Sequence, residues 1–167
     1  GITHSVVLPV ATRPEQFHSI NVFAREITTA EPDKDGLSIL SFGGIHPKDP
    51  DYKNRLREIK KMGLKGIKLH PCYQDVYINA VECERVIDYA SELDLLVTLH
   101  CGTDPSCPGQ ELCTPERIRK MLWDVYQGGA ARNLILAHLG GNGMESRSEE
   151  LLAGGDYYMD LSFCLQN

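Results

Sequence analysis

Four of the six histidines in this 167-residue chain end short apolar runs of β-strand character. They are His46 in GGIHP, His70 in GIKLHP, His100 in VTLHCG and His138 in ILAHLGG. Imidazole is a common transition-metal ligand, and a hydrolytic zinc site needs about three protein ligands and one position open for water. Four such residues at equivalent positions predict a shared site.

Each of these histidines also has a purely structural interpretation, as a hydrogen-bonded residue at the end of a strand. His100 and His138 close clean apolar runs that continue into glycine, which favours a functional role. His46 and His70 are followed by proline, and for these two both interpretations stay open. In GIKLHP the two-residue period of a strand points Lys68 and His70 to the same side.

Six short apolar runs have the length and composition of buried parallel strands. They cover residues 5–10, 37–45, 66–70, 95–100, 133–138 and 157–161. Helical patterns lie between them, at residues 14–28, 51–62, 83–93 and in a run from Thr114 to the glycines 128 and 129. In that last run Thr114 supplies an N-cap hydroxyl and Pro115 fits the first helical position.

This alternation of strands and helices predicts an α/β fold with a parallel sheet and right-handed crossovers. Two architectures fit, an open doubly wound sheet and a (β/α)8 TIM barrel. Ligands of an open sheet gather at one switch point, whereas in a barrel the carboxyl ends of many strands converge on one site. Histidines at four successive strand ends favour the barrel.

Composition excludes several classes of partner. The formal charge of −6 comes without a basic run, which argues against binding to nucleic acid. No stretch reaches the ~18 apolar residues of a membrane span, and no secretory signal is evident. We therefore expect a single cytoplasmic domain over residues 1–167 that binds neither nucleic acid nor membrane.

The six cysteines include no C-x-x-C pair, and in a reducing cytosol we expect them to be thiols. His100, Cys101, Cys107 and Cys113 form H-C-x5-C-x5-C, a weak alternative zinc motif because structural zinc sites use shorter spacings. We interpret residues 104–109, DPSCPG, as a loop that covers the substrate.

Taken together, the strand-end motifs resemble those of the amidohydrolase superfamily. GGIHP, GIKLHP, TLHCG and AHLGG follow one another with barrel-like spacing over most of the chain. They are most similar to the amidohydrolase-2 branch of metal-dependent TIM-barrel hydrolases, which includes enzymes like aminocarboxymuconate-semialdehyde decarboxylase. The resemblance implies a (β/α)8 barrel that carries a divalent metal, zinc or alternatively manganese, at the strand ends.

The resemblance also implies roles, if the first predicted strand is strand 2 of such a barrel. His100 matches the strand 5 metal ligand, and His138 matches the strand 6 histidine, a ligand or a catalytic group. His70 and Lys68 fall on strand 4, where an imidazole beside an ammonium group favours a substrate carboxylate and can assist catalysis. His46 falls on strand 3 and would contact substrate.

Two parts of the family's metal site have no counterpart in this sequence. The strand 1 His-x-His is absent, and no strand follows residues 157–161 to supply the strand 8 aspartate. Asp160 lies on strand 7 and is not equivalent to it. Because a TIM barrel needs ~250 residues, we expect an incomplete barrel of strands 2 to 7, which alone binds metal weakly or not at all and is inactive.

For the complete protein the resemblance implies a metal-dependent hydrolase that acts through metal-activated water on a small carbonyl, amide or lactone substrate. Two alternatives stay open: a metal-dependent decarboxylase of a small unsaturated or aromatic carboxylic acid, and a non-catalytic barrel fragment. The expected partner is a small, anionic molecule. A homodimer is compatible with the resemblance, since barrels of this family often pair.

Overall fold

A computed structural model describes residues 2–32 and 36–164 of the chain. The strands are β1 (His4–Val7), β2 (Ser38–Ser41), β3 (Gly43–Gly44), β4 (Gly66–Leu69), β5 (Leu96–Leu99), β6 (Leu134–Leu136) and β7 (Tyr158–Met159). The α-helices are α1 (Phe17–Thr28), α2 (Tyr52–Lys61), α3 (Pro71–Gln74), α4 (Val81–Glu92), α5 (Pro115–Tyr126) and α6 (Glu145–Leu152). Two 3-10 helices lie at Pro14–Gln16 and His138–Gly140.

All six predicted strands are present, and neighbouring strands pair in parallel in the order of the sequence. β1 pairs with β2, and β3 to β7 form a five-stranded sheet without any reversal of order. β2 and β3 are two halves of the strand predicted at residues 37–45, interrupted only by Phe42. A sequential order fits the wall of a barrel, whereas a doubly wound sheet reverses at its switch point.

The predicted helices cover this sheet with their apolar faces. In α4 the side chains of Cys83, Val86 and Ile87 are fully buried, as the helical spacing predicted. α5 begins where its capping residues indicated, with the Thr114 hydroxyl accepting a hydrogen bond from the Arg117 N–H at 3.4 Å. In the described part of the chain, no helix is both long enough and apolar enough to cross a bilayer.

The two outermost strands leave apolar surface exposed. β1 is exposed along its length, and Ile39 and Leu40 of β2 are 42% and 39% exposed. At the other end of the strand order, Tyr158 of β7 is 59% exposed. Among the described strands β1 and β2 pair only with each other, β3 pairs only with β4, and β7 pairs only with β6. The outer sides of β1 and β7 therefore present unpaired backbone groups.

One buried glutamine joins the ends of three strands. Gln74 closes α3, directly after β4, and is 1% exposed. Its Nε2 donates to the carbonyl oxygens of Ala11 (2.8 Å) and Ile45 (2.9 Å), and its Oε1 accepts from the His70 N–H (2.9 Å). These backbone groups follow β1, β3 and β4, so a single amide satisfies polar groups that the sheet leaves unpaired.

We expect Gln74→Ala to lower the free energy of unfolding by about 3 kcal/mol or more, because each buried group left without a partner costs about 1–3 kcal/mol. Urea denaturation measures the change. Gln110→Ala, on an exposed loop, is the matched control and should stay within about 0.5 kcal/mol of the wild type. Equal stabilities of the two variants would contradict this role for Gln74.

The expectation that all six cysteines are thiols is wrong for one pair. Cys72 and Cys107 form a disulfide bond, with their Cα atoms 6.4 Å apart, and the other cysteines are free. Cys72 lies in α3 and Cys107 in the loop at residues 104–109, so the packing of this loop onto α3 brings the two sulfur atoms together. The bond removes Cys107 from the alternative zinc motif, since a zinc ligand must be a free thiolate.

Breaking this bond should destabilise the protein. Cys72→Ser should lower the free energy of unfolding by about 2–4 kcal/mol under oxidising conditions, because the bond closes a loop across a sequence separation of 35 residues in the unfolded chain. Denaturation with and without a thiol reductant measures the effect. With reductant the wild type should match the variant, and Cys164→Ser, at a free thiol, should have little effect. A wild type that does not respond to the reductant would refute the prediction.

Candidate functional site

Three of the four strand-end histidines lie in one row. His70, His100 and His138 follow β4, β5 and β6, and they are 6%, 8% and 8% exposed. The rings of His70 and His100 stack with centroids 4.0 Å apart, and those of His100 and His138 meet edge to face at 4.8 Å. The parallel sheet thus brings these three side chains into contact, as the spacing predicted.

His46 lies apart from this row. It follows β3, and its Nδ1 accepts a hydrogen bond from the Lys48 N–H at 3.1 Å. Burial, and then the charge of Lys48, lower the pKa of His46 below its usual value. The ring contacts within the described residues join the other three histidines but not this one. Its contact with substrate stays a prediction.

A carboxylate that the sequence analysis did not single out completes the row. Asp104 belongs to the loop after β5, and its Oδ2 lies 3.5 Å from Nε2 of His70 and 3.7 Å from Nε2 of His100. Its Oδ1 accepts a hydrogen bond from the Ser106 N–H at 2.7 Å. The ligand atoms of His70, His100 and Asp104 lie within 4.8 Å of one another. The sequence did carry a signal for Asp104, since this acid lies four residues after a strand-end histidine in a loop expected to cover the site.

Burial keeps both imidazoles of this group uncharged at neutral pH. Burial first, and then the charges of His100 and Lys68, lower the pKa of His70 to about 3. Burial and nearby positive charges likewise lower the pKa of His100 to about 4. Burial alone would raise the pKa of Asp104, but hydrogen bonds from Ser106 and the adjacent histidines outweigh it and lower the pKa. A neutral imidazole nitrogen, as on His100, and an ionised carboxylate are donors that suit a divalent cation.

His70 faces this carboxylate as a hydrogen-bond donor. It caps α3, and its Nδ1 accepts a hydrogen bond from the Tyr73 N–H at 3.4 Å. Because a neutral imidazole has one donor and one acceptor nitrogen, Nε2 carries the proton and points toward Asp104. The Tyr73 ring also stacks on His70, with centroids 3.7 Å apart. The cap and the stack together fix the ring in a position to donate to an anion.

Lys68 contributes positive charge to the same site. It is 7% exposed, and its charge lowers the pKa of both His70 and His100. Burial lowers the pKa of Lys68 itself, while Cys101 and Asp160 act in the opposite direction. The site therefore combines a buried ammonium group with neutral imidazoles.

A large surface groove lies elsewhere. Its volume is about 860 Å³, and Trp123, Gly128 and Tyr157 contribute to its lining. These residues lie near the carboxyl ends of α5 and α6, at the edge of the sheet where β6 and β7 begin. Because the titratable residues converge at the opposite edge, the chemistry of the side chains rather than the size of the groove marks the candidate site.

The depressed pKa values predict that acid destabilises the fold. His70 and His100 would titrate near 6.5 in the unfolded chain, but at about 3 and about 4 in the folded protein. Below pH 6.5 the unfolded state therefore binds more protons, so this contribution to stability is full above pH 6.5 and is lost as the pH falls toward 4. Urea denaturation across this pH range measures the slope.

His100→Asn removes one of the two groups and should reduce this slope. The exposed His18→Asn is the matched control and should leave the slope unchanged. The explanation fails if the wild type and the His100 variant lose stability equally over the same pH range.

Known protein structures superpose on this chain, although sequence comparisons find no match. No protein-family model and no curated sequence matches the chain. A probable 2-pyrone-4,6-dicarboxylic acid hydrolase from Acinetobacter baumannii, with citric acid bound, superposes with a TM-score of 0.56 at 15% identity, over 96% of this chain and 55% of that chain. The chain has the fold of TIM-barrel enzymes.

Two decarboxylases superpose as well. A 5-carboxyvanillate decarboxylase from Novosphingobium aromaticivorans, with bound manganese, has a TM-score of 0.54 at 15% identity, over 76% of this chain and 40% of that chain. A 2,6-dihydroxybenzoate decarboxylase from Rhizobium has a TM-score of 0.52 at 18% identity, over 75% of this chain and 45% of that chain. At these identities the likeness shows the fold alone.

These superpositions confirm the fold predicted from the sequence, an incomplete barrel. The chain spans 40–55% of the lengths of these three structures. By name one is a probable hydrolase and two are decarboxylases, the two kinds of enzyme that the resemblance of the strand-end motifs implied.

Proposed function

We propose that the complete protein is a metal-dependent hydrolase of the amidohydrolase type that acts on a small carbonyl, amide or lactone substrate. The observation that carries this proposal is the meeting of His70, His100 and Asp104 beyond the carboxyl ends of parallel strands. TIM-barrel enzymes hold their active sites at this face. The names of the structural neighbours, which include a hydrolase and a manganese-bound decarboxylase, support the same class.

The residues of the site fit a divalent metal. Nε2 of His100 lies 3.7 Å from Oδ2 of Asp104 and 3.3 Å from the carbonyl oxygen of Thr103. When His100 carries its proton at Nδ1, its Nε2 is an acceptor that faces these two oxygens, and such a group is costly to bury unless a cation lies among them. We assign His100 and Asp104 as ligands, with zinc as the expected metal and manganese as the alternative. When bound, the metal supplies an activated water and polarises a carbonyl group.

His138 was predicted as a metal ligand or a catalytic group, and we propose that it supports His100. Its Nε2 lies 3.1 Å from Nδ1 of His100. This nitrogen is therefore engaged with the neighbouring ring, and coordination through it would require the contact to break. Mutation of a residue that orients a metal-binding histidine typically costs about 10–100-fold in metal affinity.

Lys68 and His70 would bind the anionic part of the substrate. The Nε2–H of His70 is a neutral donor that would pass from Asp104 to the substrate when Asp104 binds the cation, and the buried amino group of Lys68 adds charge that attracts a carboxylate. Substrate would thus be held between these two donors, with its reacting carbon next to His100 and Asp104.

A decarboxylase is the second candidate, favoured by the paired donors for a carboxylate and by the names of two neighbours. The substrate would then be a small unsaturated or aromatic carboxylic acid, held by the same Lys68 and His70. Release of carbon dioxide from the substrate, rather than uptake of water into the product, distinguishes this reaction.

Metal binding is the first test. In the complete protein we expect about one equivalent of zinc or manganese, and in this chain alone only weak binding, because two protein ligands hold a metal less firmly than three. Elemental analysis of the purified protein and manganese titration followed by electron paramagnetic resonance measure the two cases.

His100→Ala should abolish metal retention, whereas the exposed His18→Ala should preserve it. Less than about a tenth of an equivalent in the freshly purified complete protein would overturn the metal-dependent class. Unchanged metal content in the His100 variant would remove the assignment of this ligand.

A cytoplasmic location and a homodimer remain predictions. The dimer follows from the family resemblance, and the disulfide bond between Cys72 and Cys107 argues against the reducing surroundings of a cytoplasmic location. Size-exclusion chromatography with light scattering measures the assembly state directly.

A further inference from the structure

The carboxylate of Asp160 joins the ends of β6 and β7, and the functions assigned above leave it without a role. Its Oδ1 accepts hydrogen bonds from the backbone N–H groups of His138 (3.0 Å) and Ser162 (2.9 Å) and from the Ser162 hydroxyl. A single oxygen thereby fixes both the start of the loop after β6 and the turn after β7. The turn carries the groups that face the His138 ring.

Those groups fix the position of the proton on His138. Nδ1 of His138 lies 3.0 Å from the carbonyl oxygen of Ser162 and 2.9 Å from its hydroxyl oxygen. A carbonyl can only accept a hydrogen bond, and the hydroxyl gives its own proton to Asp160. Both partners are therefore acceptors, so Nδ1 of His138 must carry the proton and Nε2 must hold the lone pair.

The same argument applies to the neighbouring ring of His100. Nε2 of His138 lies 3.1 Å from Nδ1 of His100, and as an acceptor it requires a proton on that nitrogen. A neutral His100 protonated at Nδ1 has its lone pair at Nε2, which lies 3.7 Å from Oδ2 of Asp104 and 3.3 Å from the Thr103 carbonyl oxygen. In the opposite tautomer Nε2–H would donate to that carbonyl, and the shorter contacts at Nδ1 of His138 favour the first of the two. Which nitrogen of a histidine is free for a metal is set by the hydrogen bond of the other nitrogen.

We infer that Asp160 is a positioning residue that acts through Ser162 and His138 to hold His100 in the Nδ1-protonated tautomer, with its Nε2 lone pair open to a cation beside Asp104. The inference rests on the proposed metal role of His100 for its consequence. The tautomer itself is a property of the metal-free chain and can be observed without metal.

The experiment is nitrogen-15 NMR of the histidine side chains in the metal-free 167-residue chain, labelled at histidine. Couplings between ring protons and ring nitrogens show which nitrogen is protonated. In the wild type we expect His100 and His138 both to be protonated at Nδ1. In Asp160→Ala the turn after β7 is released, and His100 should shift toward protonation at Nε2.

Two further variants separate positioning from general loosening. Asp160→Asn keeps an oxygen acceptor at Oδ1 and should restore the wild-type tautomer. Asp156→Ala removes a 54% exposed carboxylate that precedes β7 and should leave the His100 signals unchanged. Manganese affinity, measured on the same samples, should fall by about 10–100-fold in Asp160→Ala and recover in Asp160→Asn.

The possible outcomes test the positioning role of Asp160 and the proposed function separately. His100 protonated at Nε2 in the wild type overturns the inference without any variant, so a failure of Asp160→Ala to fold does not prevent a decision. An unchanged tautomer in a folded Asp160→Ala overturns it as well, even if metal affinity falls. A tautomer that shifts as expected in a chain and complete protein that bind no metal supports the positioning role and overturns the proposed function.

Discussion

Parallel pairing of each strand with the next one in the chain is the constraint on which the site depends. The His100 N–H donates to the Leu69 carbonyl and the Ala137 N–H donates to the Leu99 carbonyl, each at 3.0 Å. This register aligns the residues that follow β4, β5 and β6, and it places three imidazole rings side by side. A slip of one residue would turn one ring to the opposite face of the sheet, because side chains alternate along a strand.

Burial then decides the charges within the row. The imidazoles of His70 and His100 are neutral because ionising them in this environment is unfavourable, and the ammonium group of Lys68 adds to that cost. The carboxylate of Asp104 stays ionised because backbone and side-chain groups of Ser106 donate to it. The site thus combines neutral imidazoles and an ionised carboxylate with a buried lysine.

The loops after the strands determine which ring nitrogen of each histidine carries the proton. The Tyr73 N–H occupies one nitrogen of His70, and the Ser162 carbonyl occupies one nitrogen of His138. Backbone groups have fixed donor or acceptor character, so they determine the tautomer of each ring. The disulfide between Cys72 and Cys107 holds the loop that supplies the carboxylate against the helix that His70 caps.

The sequence by itself determined the strands, the helices, their parallel order and the histidines at the strand ends, because apolar periodicity, caps and glycines act over a few residues. It also determined the barrel-type fold, through the resemblance of four successive motifs. Only the tertiary structure decided that Asp104 joins the row, that His46 stays outside it, and that two cysteines are bonded. These outcomes depend on how loops distant in sequence pack over the strand ends, and local patterns carry no information about that packing.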